Sequence, residues 1–228
     1  MKTKMSISYF ILGCWLLNEV SAYQDRSCKP TSADILGPYY YPNVPRRRQI
    51  CERDRAFHQQ RHLLVEGRVM DETCRPLSGA RIEVWQADAD GHYLFKDMCR
   101  GHFYTQIRGN YAFLTLRPGK YSTDPTGRLF RPAHIHFRVV APDHDILVTQ
   151  MYFDGDSSLG VNDSCSTCSS DHPDLVVSTH EMCADESGKY CIDIAHFDLV
   201  LRRGSGVDVV KDVDDSLPEL LDMAKEGK

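Results

Sequence analysis

The sequence predicts an all-β protein, an antiparallel β-sandwich with an irregular N-terminal arm and a short C-terminal helix. Short segments of alternating apolar and polar residues recur through the middle of the chain, and turns rich in Gly, Pro and Asp separate them. No helical periodicity longer than two turns precedes residue 216. Short strands between such turns are typical of sandwiches and barrels. The 228 residues, 42% of them hydrophobic, are enough for one sizeable core.

Residues 1–22 are predicted to be a signal peptide. Lys2 and Lys4 precede an apolar run at 10–17, and residues 20–22 are small enough for a signal peptidase site. The run is shorter than the roughly 20 residues that a membrane-spanning helix needs. We therefore expect a secreted, extracellular mature chain with no membrane contact. An uncleaved anchor or a buried N-terminal helix is the alternative.

The mature chain, 23–228, is predicted to be a single domain with an arm over 23–61, a core over 62–201 and a tail over 202–228. Four prolines make the arm irregular, and its basic run at 46–48 is interpreted as solvated. Ser216 and Glu219 have capping-box spacing, which predicts a short helix in the tail. Strands are predicted at 63–70, 81–86, 111–116, 134–140, 146–153 and 190–201.

The cysteines also favour secretion. One of the nine lies in the predicted signal peptide, and the eight that remain predict up to four disulfides in a pairing that the sequence does not choose. Cys165 and Cys168 also have zinc-ligand spacing, but Cys183 and Cys191 lie too far apart in the sequence to supply a second such pair. Asn162 begins an N-glycosylation sequon.

His134 and His136 are the first candidate functional residues. Positions i and i+2 of a strand share a face, so the two imidazoles lie side by side while Ile135 faces a core. Adjacent imidazoles are half of a metal site, although such pairs also occur by chance on exposed strands. No Glu follows at the spacing of a cupin-type site. Copper or zinc at the two histidines stays open as an alternative.

Two tyrosines add a different kind of ligand. Tyr93 and Tyr121 each follow a predicted turn at the end of a strand, where rigid sheets hold functional loops. The ordinary pKa of a phenol is about 10, so its ionisation at neutral pH needs a strong Lewis acid such as ferric iron. For each tyrosine alone, a buried ring with a satisfied hydroxyl is the alternative. The case for ligation rests on their joint occurrence with the histidines.

Four stretches of the chain occur in the order seen in one enzyme family. They are WQADADGHY at 85–93, PGKY at 118–121, RPAHIHF at 131–137 and TQMYFDGD at 149–156. With them the chain resembles the intradiol ring-cleavage dioxygenases, which include catechol 1,2-dioxygenases and protocatechuate 3,4-dioxygenases. The resemblance spans 34–156 and is strongest to compact secreted eukaryotic members. The long helical region with which dimeric bacterial members pair is missing, which implies a monomer or weak oligomer.

The resemblance implies a mononuclear non-haem Fe(III) and O2 as co-substrate. It implies that the iron is held by Tyr93, Tyr121, His134 and His136. Arg131 and Gln150 fall at substrate-side positions, and Tyr121 is implied to leave the metal when substrate binds. The implied reaction cleaves catechols or related phenolics between the two hydroxyl-bearing carbons, giving cis,cis-muconic acid-type products.

Two other functions remain as alternatives. One is a secreted β-sandwich binding module, and the other is a different metalloprotein that uses the histidine pair. A decayed binding module predicts the loss of at least one of the four ligands, and all four are present. The net charge of −5 argues against nucleic acid as a partner.

Overall fold

The structure is a computed structural model that describes residues 28–93, 97–184, 191–206 and 208–209. The predicted signal peptide and the predicted tail helix lie outside these residues. None of the helices in the described ranges is long and apolar enough to cross a membrane. Short 3-10 turns occur at Arg55–His58, Ile107–Gly109 and Gly160–Asn162.

The described strands are numbered in chain order. They are His62–Asp71 (β1), Arg81–Gln86 (β2), Arg100–Tyr104 (β3), Asn110–Leu116 (β4), Tyr121–Ser122 (β5), Phe130–Arg131 (β6), His134–Val140 (β7), Ile146–Phe153 (β8), Val176–Val177 (β9), Thr179–Cys183 (β10), Cys191–His196 (β11), Leu199–Leu201 (β12) and Asp208–Val209 (β13).

Two sheets pack face to face. The five-stranded sheet has the order β10-β11-β1-β12, with β4 also paired to β1, and the six-stranded sheet has the order β13-β8-β7-β2-β3, with β9 paired to β8. Strands β5 and β6 form a separate hairpin. The core lies between the sheets, where Phe137 of β7 meets Phe113 of β4 and Phe197, with ring centroids 6.0 and 5.3 Å apart. The predicted all-β sandwich is confirmed.

The sheets contain antiparallel and parallel strand pairs, whereas the sequence predicted an antiparallel sandwich. Strand β1 pairs in parallel with β11 and β12, and β8 pairs in parallel with β9 and β13. Alternation within a strand carries no information about the direction of its neighbour, so the prediction had no means of finding these pairs. The predicted strand at 190–201 is also broken. It divides at Phe197, whose carbonyl oxygen would lie 2.0 Å from a Cβ on Gly67.

The arm joins the edges of both sheets. The Arg47 amide donates to the His102 carbonyl of β3 (3.1 Å), and the Ile50 amide donates to the Leu114 carbonyl of β4 (2.9 Å). The Arg48 guanidinium donates to one carbonyl of each of these edge strands, at 2.7 Å in both cases. The interpretation of this basic run as solvated holds for Arg46, which is exposed, but not for Arg48, whose guanidinium caps carbonyls on both edge strands.

Four disulfides are present among the described cysteines, as predicted for a secreted chain. They are Cys28–Cys74, Cys51–Cys99, Cys165–Cys168 and Cys183–Cys191. The first two attach the arm to the sandwich. The bridge between Cys165 and Cys168 removes the zinc alternative for that pair, because zinc binds free thiolates.

Candidate metal centre

Strand β7 carries the two histidines on the outer face of the six-stranded sheet. Ile135 and Phe137 point the opposite way, into the core between the sheets. His136 lies in register between Trp85 of β2 and Gln150 of β8. The Trp85 ring stacks on the His136 ring with centroids 4.7 Å apart and planes 6° apart. This packing fixes the imidazole plane before any ligand binds.

The two imidazoles present their Nε2 atoms to the same point. These atoms are 3.2 Å apart. His134 Nδ1 lies 2.6 Å from the Pro132 carbonyl oxygen, which only accepts, so Nδ1 carries the proton and Nε2 a lone pair. Burial, followed by the charge of Arg131, lowers the pKa of His134 well below its ordinary value. Burial also lowers the pKa of His136, with His134 as the next cause. Both rings are therefore neutral and able to bind a cation.

Tyr93 reaches the site from the loop that follows β2. The Asp88 carboxylate shapes this loop by accepting hydrogen bonds from the amides of Asp90 and His92. Gly91, with φ +85°, lies against the next loop so closely that a Cβ would be 2.0 Å from the Lys120 carbonyl oxygen. The contact needs glycine for both its positive φ and its missing side chain. It brings the loop of Tyr93 against the loop of Tyr121.

Tyr121 reaches the site from the β5–β6 hairpin. It lies in register with Arg131, and its hydroxyl hydrogen-bonds the Arg131 guanidinium. The Tyr121 ring is 5.7 Å from the ring of Tyr93 and 5.7 Å from the ring of His134, measured between centroids. The structure thus brings all four sequence-predicted ligands together.

Burial keeps both phenols in the neutral form unless a cation stabilises their phenolates. Burial raises the pKa of Tyr93 well above its ordinary value, and Tyr121 raises it further, while Arg131 and Arg100 oppose the shift. Burial also raises the pKa of Tyr121, and Arg131 again opposes it. The buried Tyr93 hydroxyl has no hydrogen-bond partner, and neither has His136 Nδ1. An unsatisfied buried polar group costs about 1–3 kcal/mol, and a cation bound by the Tyr93 oxygen would offset that cost at Tyr93.

These observations fit a metal ion bound by the four residues. Two nitrogens bound to one metal at about 2.1 Å lie about 3 Å apart in adjacent positions, and the two Nε2 atoms are separated by 3.2 Å. Phenolate oxygen with neutral imidazole nitrogen is a donor set for a hard or borderline cation of high charge. A second group of potential ligands in the described chain, Glu181 with Cys183 and Cys191, loses both thiolates to a disulfide.

Arg131 is held beside the four residues by a buried network. Its Nη2 donates to Gln150 Oε1 (3.0 Å) and to the Tyr152 hydroxyl (2.9 Å), and its Nε donates to Asp163 Oδ1 (2.9 Å). Gln150 Nε2 in turn donates to the Ile35 carbonyl (2.9 Å). Both ends of the Gln150 amide are thus engaged inside the protein. Its position places it behind Arg131 as a support.

The arm covers the site from outside. Tyr39 stacks on Tyr93, with centroids 4.1 Å apart and planes 11° apart. Gly37, with φ +74°, lies so close that a Cβ would be 3.1 Å from His136 Cε1. Asp163 was not among the site residues that the sequence indicated, because it lies in a loop with no periodic pattern.

Asp156 connects the two halves of the site. Its carboxylate accepts the Ala133 amide (2.9 Å), one residue before His134, and pairs with the Lys120 ammonium (2.8 Å), one residue before Tyr121. The Ser158 amide donates to the same carboxylate (2.8 Å). One acid therefore sets the spacing between a histidine strand and a tyrosine loop.

Fold and site together define a β-sandwich with two phenols and two imidazoles converging on one sheet face. A family model described as Dioxygenase matches residues 35–203. The chain is 34% identical to a catechol 1,2-dioxygenase of Candida albicans over 68% of this chain and 57% of that protein. It is 33% identical to a chlorocatechol 1,2-dioxygenase of Rhodococcus opacus over 76% of this chain and 73% of that protein. The chain belongs to the intradiol ring-cleavage dioxygenase family.

Solved structures agree on the fold. The dioxygenase domain of a carbohydrate-binding fusion protein from Streptomyces sp. SirexAA-E superposes with a TM-score of 0.60 at 29% identity, covering 77% of this chain and all of that domain. The chain spans little more than half of the length of the Candida relative.

Proposed function

We propose that this protein uses ferric iron and O2 to cleave catechols between their two hydroxyl-bearing carbons, giving cis,cis-muconic acid-type products. The observation that carries the proposal is the convergence of four donors. The Nε2 atoms of His134 and His136 lie 3.2 Å apart, and the Tyr121 ring lies 5.7 Å from the rings of both His134 and Tyr93, measured between centroids. Relatives named for catechol and chlorocatechol cleavage support the substrate class.

The four residues would hold the iron through two phenolate oxygens and two imidazole nitrogens. When bound, Fe(III) supplies Lewis acidity that ionises phenols and draws electron density from a chelated catechol. The neutral state of both histidines favours binding, because protonated imidazoles repel a cation. The stack of Trp85 on His136 and the bond from His134 to Pro132 keep the imidazoles oriented.

Tyr121 is the residue suited to move a proton. It is the one of the two tyrosines whose hydroxyl hydrogen-bonds Arg131, and it sits on a short hairpin with its ring edge-on to Tyr39 rather than stacked on it. We assign its Oη the task of accepting a proton from an incoming catechol hydroxyl. Tyr93, clamped by Tyr39, stays in place. The two tyrosines thus have different roles because of different neighbours.

Arg131 supplies a fixed positive charge. Burial by itself would lower its pKa, but Tyr152, Tyr121 and Asp163 raise the pKa above the ordinary value, so the group stays charged. A charge held by three hydrogen-bonding partners needs no reorganisation when negative charge develops on the substrate. The arm excludes water and strengthens that interaction.

The direct test is oxygen uptake by the iron-loaded protein across a panel of catechols, with mass analysis of the products. We expect one O2 to be consumed for each ring that is cleaved. The product should be a dicarboxylic acid that contains both atoms of that O2. An aldehyde-bearing product would indicate cleavage beside the diol and would contradict the proposal. A colourless protein that holds one zinc and consumes no oxygen would favour a different metalloprotein.

We also propose that the mature protein is secreted and acts on environmental catechols and other phenolics as a monomer or weak oligomer. The basic start, the apolar run and the small residues at 20–22 support secretion, as do the four disulfides. N-terminal sequencing of the protein recovered from culture medium of a eukaryotic host tests this. We expect a chain beginning at Tyr23; an intact residue 1 would contradict it.

A further inference from the structure

Asp163 enters the proposed mechanism only as a buried partner that keeps Arg131 charged. Its side chain is 1% exposed and that of its partner Arg131 is 3% exposed, and the Asp163 Oδ1 to Arg131 Nε distance is 2.9 Å. Burying two charges is costly unless their geometry is good and their remaining hydrogen bonds are made. Because this buried ion pair lies beside a candidate metal centre, we infer that it contributes to the function of the site.

Asp163 is the one carboxylate that contacts Arg131 directly in the described structure. The other partners of the guanidinium, on β8 and the β5–β6 hairpin, are the Gln150 amide and the Tyr152 and Tyr121 hydroxyls. The bond between Arg131 Nε and the Asp163 carboxylate is charge-assisted and fixes one edge of the guanidinium plane. The opposite edge then points along a single direction.

The segment around Asp163 is built to hold that carboxylate still. Asp163 Oδ1 also accepts the Cys165 amide (2.9 Å), and Cys165 is bridged to Cys168. The Ser164 amide donates to the Phe130 carbonyl (3.1 Å), which precedes Arg131 in β6. The loop is thereby attached on both sides of the ion pair, to its own disulfide and to the strand that carries the arginine.

We propose that Asp163 is a positioning residue for ring cleavage. It fixes the guanidinium plane of Arg131, and through Arg131 the hydroxyl of Tyr121, without touching the substrate or the metal. The inference rests on the proposed function, because it assigns Asp163 a part in that reaction. The residue lies outside the stretches that indicated the family, in a loop that the sequence marked only as a possible glycosylation site.

The test compares Asp163→Asn with Asp71→Asn in the full, iron-loaded protein. Asp71 is a matched control, because its side chain is 2% exposed and its Oδ2 accepts Arg75 Nε at 3.0 Å, in the five-stranded sheet away from the site. We expect Asp163→Asn to lower kcat on catechol about 10- to 100-fold, with KM and iron content close to wild type. Asp71→Asn should lower thermal stability and leave kcat unchanged.

A double variant distinguishes a positioning role of Asp163 from a general loss of stability. If Asp163 acts through Arg131, adding Asp163→Asn to an Arg131→Gln protein should change kcat by no more than about twofold. The visible absorption of the iron-loaded protein should shift in Asp163→Asn and not in Asp71→Asn, because Tyr121 changes its hydrogen bonding only in the former.

The outcomes are distinguishable. An active wild type whose Asp163→Asn variant keeps wild-type kcat and spectrum overturns this inference alone. Equal losses of kcat in the two single variants, or additive effects with Arg131→Gln, also overturn it in favour of a structural role. A wild type that binds iron and cleaves no catechol overturns the proposed function and this inference together.

Discussion

Strand β7 buries both of its faces, but the two faces are surrounded by different chemistry. Phe137 is fully covered between the sheets, and the adjacent His136 is 2% exposed beneath the arm. On the Phe137 side the neighbours include Phe113 and Phe197, packed ring against ring. On the His136 side, a ring nitrogen and the Tyr93 hydroxyl lack hydrogen-bond partners. The two faces are equally buried, but one belongs to the core and the other to the site. Unpaired polar atoms distinguish the site from the core.

The largest expected effect comes from removing the polar face. His136→Ala should lower ring-cleaving activity by about 1,000-fold or more, since it removes one of four ligands. The chain should stay folded, because the core between the sheets is untouched. Metal analysis and oxygen uptake on the purified variant measure both effects. Wild-type iron content and activity in this variant would remove His136 from the metal centre.

A substitution on the apolar face of β7 should lower stability and leave activity nearly unchanged. Phe137→Ala should lower the free energy of unfolding by about 3–5 kcal/mol, as for other large-to-small core substitutions. The folded fraction should still bind one iron and keep kcat within a few-fold of wild type, because the four ligands remain. Urea unfolding, with iron content measured well below the transition, checks this. Loss of iron from fully folded Phe137→Ala would mean that the two faces are not separable.

A smaller effect is expected from the disulfide beside Asp163, on the His136 side of the sheet. Replacing both Cys165 and Cys168 by Ser opens a bridge that spans three residues in sequence. The loop is short, so chain entropy predicts a loss of only about 2 kcal/mol. We expect kcat to fall a few-fold, because Asp163 is held less rigidly when the bridge beside it is open. The control is the double variant Cys28→Ser/Cys74→Ser at the start of the arm, which should leave kcat unchanged. Steady-state kinetics and thermal unfolding measure the two effects. A larger kcat loss in the control pair would contradict the assignment.

The smallest effect concerns a carboxylate outside the site. Burial alone would raise the pKa of Asp71, but hydrogen bonds from Thr73 and Arg75 outweigh it and lower the pKa to about 2. The unfolded chain, with an ordinary pKa of about 3.9, binds the proton more readily. The stabilisation is therefore complete above about pH 5 and is lost as the pH falls towards 2. Asp71→Asn should be less stable than wild type at pH 7, with the difference shrinking by pH 2 in urea unfolding. A constant difference across that range would contradict the shift.

Alternation predicted the central strands well. The segments at 81–86 and 134–140 were placed with their observed bounds, because each has one face in the core. Strand β3 was missed, since Arg100 and Gly101 at its start give no apolar alternation even though both are buried. Strand β10 was missed because its side chains are mostly exposed on both faces. The parallel pairs were missed because they join strands that lie far apart in the sequence.

The site was predicted less evenly than the fold. Residue chemistry indicated His134 and His136 as a pair and Tyr93 and Tyr121 as candidate partners, and the resemblance to a family supplied Arg131 and Gln150. Asp163 was not predicted, because its role arises from a contact with Arg131 of β6 that is distant in sequence. Loop residues of this kind carry no periodic signal, and only their neighbours in the folded chain reveal them.

The most direct test of the four-ligand centre is a crystal structure of the iron-loaded protein with anomalous diffraction at the iron absorption edge. We expect one strong peak per chain, at about 2.0–2.3 Å from Nε2 of both histidines and from the hydroxyl oxygens of Tyr93 and Tyr121. A peak at the histidines with either tyrosine oxygen well beyond bonding reach, or a peak elsewhere in the chain, would contradict the account.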